Sequence, residues 1–175
     1  ALYILGDLFE FWVGDDQLAD PFYAAHCRNI AALAARGVAV FFMAGNRDFL
    51  CGQRFASTCS LTLLDDPLTV RLSDDTVLLS HGDIFCTHDI AYQRYRRIVR
   101  SPAVQWLWYH LPRFVRQWQA RRLRERSQKQ TRRKPQDWID VSPQAIEQAM
   151  QQSGSVRLIH GHTHRPAQHQ HANGI

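Results

Sequence analysis

Four hydrophobic runs, Leu2–Leu5, Val38–Met43, Val77–Leu79 and Val156–Ile159, each end in a short turn-forming motif. The motifs are Gly6-Asp7, Gly45-Asn46-Arg47-Asp48, His81-Gly82-Asp83 and Gly161-His162-Thr163-His164. This pattern constrains the fold, because an Asp, an Asn and three His at strand ends can act together only where those ends converge. The residue types suit hydrolysis of a phosphate ester or anhydride, in which the repulsion between nucleophile and phosphoryl oxygens must be neutralised. Two divalent cations about 3.5–4 Å apart, bridged by a carboxylate, do this and supply hydroxide near neutral pH. Asp, Asn and His ligands without thiolate favour Mn²⁺, Fe²⁺ or Zn²⁺ over Ca²⁺.

Each motif also has an ordinary reading. Asp after a strand commonly caps a turn, Asn tolerates the left-handed conformation, and His81 can be a hydrogen-bonded core histidine. His162 and His164 are more specific, since two imidazoles two residues apart after a buried strand can aim at one point. The order of all four favours a metal site. Asp48 and Asp83 are expected to orient the turns or the ligand imidazoles. His160 is expected to pack, His169 and His171 to be solvated, and Asp15 and Asp16 to be loop acids.

The intervening segments read as an α/β layered core. Asp20-Pro21 starts a helix that Gly37 stops. A short helix is expected near Phe49–Ala56, a hairpin over Thr69–Leu72 and Thr76–Ser80 across Ser73-Asp74-Asp75, and a helix from Ser142-Pro143 to about Gln152. The 175 residues fit one domain, 1–175. No run approaches the ~18–20 apolar residues of a spanning helix, and the first residues do not read as a signal peptide. Cys27, Cys51, Cys59 and Cys86 lack CxxC spacing and are expected to be reduced thiols.

Residues 89–140 break the alternation. They read as helices interrupted at Pro102, Pro112 and Pro135, a basic, aromatic-rich lid inserted over the strand ends. Between Arg94 and Lys134 stand 14 Lys/Arg and one acid, Glu125, for a net +13; the rest of the chain holds 7 Lys/Arg and 15 Asp/Glu, for −8. The division implies an acidic metal-holding core and a basic face that meets something anionic. Arg121, Arg122, Arg124 and Arg126 also fit a plain solvated face. Trp106, Leu107, Trp108, Tyr109, Phe114, Val115 and Trp118 suit a lid core equally with a membrane interface or a lipid-bearing ligand.

The longer strings carry a resemblance. Gly6-Asp7-Leu8-Phe9-Glu10 with Trp12 and Gly14-Asp15-Asp16, Gly45-Asn46-Arg47-Asp48-Phe49-Leu50, His81-Gly82-Asp83 with Cys86-Thr87, Asp89 and Tyr92-Gln93, and His160–Ala167 resemble the UDP-2,3-diacylglucosamine hydrolase family. That family belongs to the calcineurin-like metallophosphoesterases and acts in lipid A synthesis of Gram-negative bacteria. The resemblance covers essentially the whole chain. It implies two β-sheets flanked by helices with an inserted helical lid. It also implies Mn²⁺-dependent hydrolysis at the α-phosphate of UDP-2,3-diacylglucosamine, giving UMP and 2,3-diacylglucosamine 1-phosphate. Asp7 would bridge two Mn²⁺ ions, Asn46, His81 and His162 would complete one site, and His164 would reach the other. Asn46, Arg47 and His162 would be the catalytic residues, Arg47 offering its planar fork to a phosphate. Substrate contacts map onto Asn46, Arg47, Asp89, Ser127, Thr131, Lys134 and His162, and the Trp-bearing helices would cover the acyl chains. Thr131 stands where the family pattern has Asn, and His88 where it has an acid. The protein is expected to be a monomer with no nucleic-acid partner, cytoplasmic and peripherally attached to the inner membrane, where its Arg residues would meet anionic headgroups.

The superfamily's Asp-x-His upstream of Gly-Asp is absent from these 175 residues. The chain opens inside an apolar run and stops at Asn173-Gly174-Ile175, so it reads as cut at both ends, and this stretch alone is expected to be inactive. Two other readings share the pattern. A nuclease or nucleotide hydrolase of the same superfamily would use the basic insert along a phosphate backbone. A metal-poor scaffold of the same fold would use the insert to bind partners or membrane.

Overall fold

The computed structural model describes residues 1–131 and 134–170. The side chains of Thr131, Gln136 and Asp137 fall outside the description, as do His171 and the Asn173-Gly174-Ile175 turn. Two three-stranded sheets form the centre. In the first, β1 (Leu2–Ile4), β2 (Val40–Met43) and β3 (Thr62–Leu64) run parallel in that order, with Tyr3 opposite Phe41 and Phe42 opposite Leu63. The connections are α1 (Pro21–Ala35) and α2 (Gln53–Cys59), the crossover helices that parallel pairing needs. In the second sheet β4 (Leu68–Leu72) pairs antiparallel with β5 (Asp75–Ser80), and β5 pairs parallel with β6 (Arg157–His160), Leu78 opposite Leu158.

Alternation along the strands decides how the layers stack. Phe42 joins Phe9, Trp12, Cys27, Leu50, Phe55 and Cys59 in a core shared with α1 and α2. Its neighbour Met43 points the other way and meets Val77 and Leu79 of β5 between the sheets. Leu78 faces out again, onto Ile146 and Met150 of α7 (Pro143–Ser153). The order is therefore helices, sheet, sheet, helix, the expected sandwich. All four cysteines are free and buried.

Between β5 and α7 run α3 (Ile90–Val99), α4 (Pro102–Tyr109), α5 (Arg113–Thr131) and α6 (Gln136–Ile139). They break where the prolines predict, and no helix among the described residues is long and apolar enough to cross a membrane. The aromatic residues do not form one face. Trp108 is half-buried and its indole donates to the Val13 carbonyl at 3.0 Å. Trp106, Leu107, Phe114 and Trp118 are exposed.

Two expectations need correction. The short helix begins at Gln53, not Phe49, because its cap comes from far away in the chain. The Asp15 carboxylate accepts the N–H groups of Gly52 at 2.9 Å and Phe55 at 3.0 Å, and also the Trp12 indole at 3.0 Å. A Cβ at Gly52 would stand 2.9 Å from Asp15 Oδ2, so glycine lets the carboxylate approach. Asp15 is thus a structural cap and no loop acid; Asp16 likewise pairs with the buried Arg116. Strand β3 is an element that the sequence pattern does not announce. Removing the Asp15 carboxylate leaves three donors without their partner, so Asp15→Ala should cost about 2 kcal/mol of stability in urea unfolding. A loss below about 0.5 kcal/mol, within the range of an ordinary surface change, would mean that the cap carries no weight.

Candidate metal centre

The four motif turns lie at the carboxyl ends of β1, β2, β5 and β6, the end of a parallel sheet where ligands collect. The first two pack backbone against backbone. Gly6 has φ +83°, and a Cβ there would lie 2.5 Å from the Cα and N of Gly45. A Cβ at Gly45 would lie 2.4 Å from Asp7 Oδ1. Asp48, fully buried, accepts from Gly45 N at 2.8 Å, Leu8 N at 2.7 Å, Asp7 N at 3.2 Å and Phe9 N at 3.4 Å, tying one turn to the other. Burial pushes its carboxyl above the usual range against the pull of those donors. Asp48 orients turns, as expected.

The two sheets meet through His81. Its Nδ1–H donates to the Leu5 carbonyl at 2.8 Å, which leaves the Nε2 lone pair directed at Asn46, 3.0 Å away, with Asp7 Oδ1 at 3.7 Å. His162 Nδ1 lies 3.1 Å from the same Asn46 amide, and the two imidazoles stand edge to face with centroids 5.1 Å apart. Asp7, His81 and His162 offer ligand atoms all within 4.8 Å of one another. The Asn46 terminal atom in their midst also faces both Asp7 oxygens, at 3.2 and 3.3 Å. It is ringed by acceptors. An amide NH₂ has two N–H groups to offer these four acceptors, whereas with a cation in their midst the Asn46 oxygen would join the donor set. These four side chains fit a divalent cation.

Asp7, His162 and His164 adopt positive φ (55°, 70° and 54°), a conformation uncommon outside glycine. Such strain persists where the surroundings enforce it, as at ligand clamps. Burial, with His81 adding to it, lowers the His162 pKa to about 4, so the ring is neutral at pH 7 and keeps a lone pair. His164 stands apart and exposed, its Nε2 3.4 Å from Arg47 Nη2.

Arg47 reaches across the site. Its backbone N–H donates to Asp7 Oδ1 at 3.0 Å, and its Nε lies 3.1 Å from Asp7 Oδ2 without hydrogen-bond alignment. Its Nη1 donates to Glu10 at 2.9 Å, and Arg124 Nε donates to the other Glu10 oxygen at 2.5 Å. Partial burial would raise the Glu10 carboxyl, but Arg124 and Arg47 outweigh it and hold it below the usual range. Arg124 is therefore turned inward, not simply solvated. The Glu10–Arg124 pair has no signal in the sequence, since a carboxylate three residues past a motif carries no periodic mark.

A cavity of about 830 Å³ opens from these residues and runs beneath the inserted helices. Asp7, Asn46, Arg47, His162 and His164 line it. Tyr95, Val99, Val104, Trp108, Leu123 and Trp138 of the inserted helices add apolar lining. Asp89, Ser127 and Lys134 also line it, and Asp89 caps α3 while pairing with Lys134. Thr131 is the one expected contact whose side chain falls outside the described residues. Of the Trp residues, Trp12, Trp108 and Trp138 line the cavity.

Asp83 departs from expectation in part. Its carboxylate accepts from Tyr92 Oη at 2.6 Å and Arg96 Nε at 2.8 Å; the His81 imidazole bonds a backbone carbonyl instead. His160 packs, its ring beside Phe85.

Residues 1–166 match the calcineurin-like phosphoesterase family. The chain belongs to that family. It is 47% identical over 169 residues to the UDP-2,3-diacylglucosamine hydrolase of Pseudomonas entomophila (strain L48), covering 97% of this chain and 70% of that protein. The protein of the same name from Pseudomonas fluorescens (strain SBW25) is 48% identical, with 97% and 68% covered. That of Aeromonas hydrophila subsp. hydrophila is 47% identical, with 97% and 70% covered. Family membership and the donor set agree on a hydrolase that uses divalent metal.

Two outcomes follow from the geometry. Gly45→Ala should displace Asp7 and weaken Mn²⁺ binding at least about tenfold in titration calorimetry; unchanged affinity would mean that the two turns need not touch. The folded pKa of His162 lies below its unfolded value of about 6.5, so the unfolded chain binds the extra proton first. Metal-free stability contributed by a neutral His162 is full above pH 6.5 and is lost as pH falls toward 4. His162→Gln should flatten the unfolding free energy over that window, and an unaltered slope would contradict the assignment.

Proposed function

We propose that the protein hydrolyses the pyrophosphate bond of UDP-2,3-diacylglucosamine at the α-phosphate, yielding UMP and 2,3-diacylglucosamine 1-phosphate. The observation that carries this reading is one cavity lined both by Asp7, Asn46 and His162 of the cation-ready cluster and by apolar side chains of the inserted helices. A diphosphate joined to acyl chains has the same division of polarity, and the relatives' names give that substrate.

Asp7, Asn46, His81 and His162 would hold one Mn²⁺, and Asp7 with His164 would contribute to a second. When bound, the ions supply charge neutralisation and a hydroxide near neutral pH. The chain's own residues do the positioning. Arg47, held between Asp7 and Glu10, presents its fork to a phosphate oxygen, and Arg124 can turn from Glu10 to a second one. Lys134 and Asp89, paired across the cavity, and Ser127 would meet the polar part of the substrate. Neutral His162 keeps a ring lone pair that would serve as a donor to the cation. The helices α3 to α6 act as the lid, with Val104, Leu123 and Trp138 against the acyl chains.

The exposed Trp106, Leu107, Phe114 and Trp118, edged by arginines such as Arg122 over the Trp118 ring at 4.5 Å, support peripheral attachment to the cytoplasmic side of the inner membrane. That surface would let a lipid-linked substrate enter without crossing water.

The test is UMP release from UDP-2,3-diacylglucosamine, assayed on this chain and on a version extended to the full length of the relatives. Turnover should require Mn²⁺ and be abolished by chelation, and Arg47→Ala should lower kcat/KM about 100-fold or more. A folded, Mn²⁺-loaded extended protein that releases no UMP but cleaves single-stranded DNA would replace this reading with a nuclease.

A further inference from the structure

One face of α3 is turned inward. Tyr92, Arg96 and Arg100 follow one another at i, i+4 and i+8, so they share a stripe of the helix. The stripe reaches two of the four motif turns. Tyr92 Oη and Arg96 Nε both donate to Asp83 Oδ2, in the turn that carries His81. Arg100 Nη2 donates to the Gly45 carbonyl at 3.0 Å, in the turn that carries Asn46.

Arg96 does more than neutralise one acid. Its Nη2 also reaches Asp66 Oδ2 at 3.4 Å. Asp66 Oδ1 in turn accepts the backbone N–H of His81 at 3.1 Å and the Ser80 hydroxyl at 2.7 Å, and Ser80 Oγ accepts the Gly82 N–H at 3.0 Å. A single guanidinium therefore spans two carboxylates: Asp66, which holds the Ser80 hydroxyl and the His81 N–H, and Asp83, which belongs to the His81 turn itself. Asp83 is fully buried, and the Asp66 side chain is only 5% exposed. Both are shielded from water, where a shared cation has its strongest hold. The planar fork suits this bridge; an ammonium at the same place cannot face two separated acids with fixed geometry.

We propose that Arg96 is a positioning residue for the metal centre: it holds the His81 turn rigid, so that the inserted helix α3 helps set cation affinity while touching neither metal nor substrate. The inference rests on the metal-site reading above and extends it to a residue outside the four motifs.

Direct Mn²⁺ binding by the purified chain tests it, read from the electron paramagnetic resonance signal of free Mn²⁺ and from the shift in Tm on adding Mn²⁺. The chain, Arg96→Met, Arg96→Lys, His81→Ala and Asp15→Ala are compared. Arg96→Met should raise the Mn²⁺ Kd about 10- to 100-fold, the range for groups that orient metal ligands. Arg96→Lys keeps a positive charge beside the two acids and should still raise Kd at least threefold, with a smaller Mn²⁺-induced Tm shift. It carries the test if the Met variant does not fold. Asp15→Ala, destabilised at the α2 cap and not in the His81 turn, should keep the parent Kd. Arg96→Lys within twofold of the parent, or Asp15→Ala losing as much affinity as Arg96→Lys, would overturn the inference. A parent chain that binds no Mn²⁺, or His81→Ala binding as tightly as the parent, would overturn the metal-site reading and this inference with it.

Discussion

The contact between Gly6 and Gly45 is the constraint on which the rest of the site depends. Two strand-end turns touch there without side chains between them, close enough that a methyl group on either glycine would strike backbone. Asp48 then binds amides from both turns with one buried carboxylate. With that junction set, Asp7 and Asn46 must face each other. His81 joins from the second sheet because the Leu5 carbonyl holds its Nδ1–H, and His162 from the turn after the neighbouring parallel strand. The donor set is the product of backbone packing first and of side-chain chemistry second.

The parallel pairing of β1 with β2 and of β5 with β6 explains why the motifs meet at all. Parallel neighbours bring successive carboxyl ends to one side, and hydrophobic alternation through Phe42, Met43, Leu78 and Leu79 stacks the sheets so that their ends align. The same layering buries the feet of the motifs while their tips stay open to the cavity.

Much of this was legible in the sequence because it obeys local rules. Strand, turn and chemically useful residue recur four times, and Asp20-Pro21 caps α1 through its own Phe22 N–H. What escaped was non-local. Asp15 caps a helix 38 residues on, as a carboxylate that reads in sequence as just another loop acid. Glu10 binds Arg124 across 114 positions, and no periodicity announces it. Arg96 and Arg100 lay inside a segment whose basic charge drew attention to its outer surface, yet they point in. The tryptophans were grouped by proximity in sequence, whereas helix geometry sends Trp108 to the core and Trp106 to solvent.

The cavity is built by two unrelated stretches of chain. The turns contribute side chains whose backbone has no slack, and the helices of the insert contribute Val104, Leu123 and Trp138. Such a molecule is modular under selection. Volume changes along the helical lining recut the cavity while the turns stay untouched, so the space over one donor set can be reshaped by exchanging a handful of aliphatic and aromatic side chains.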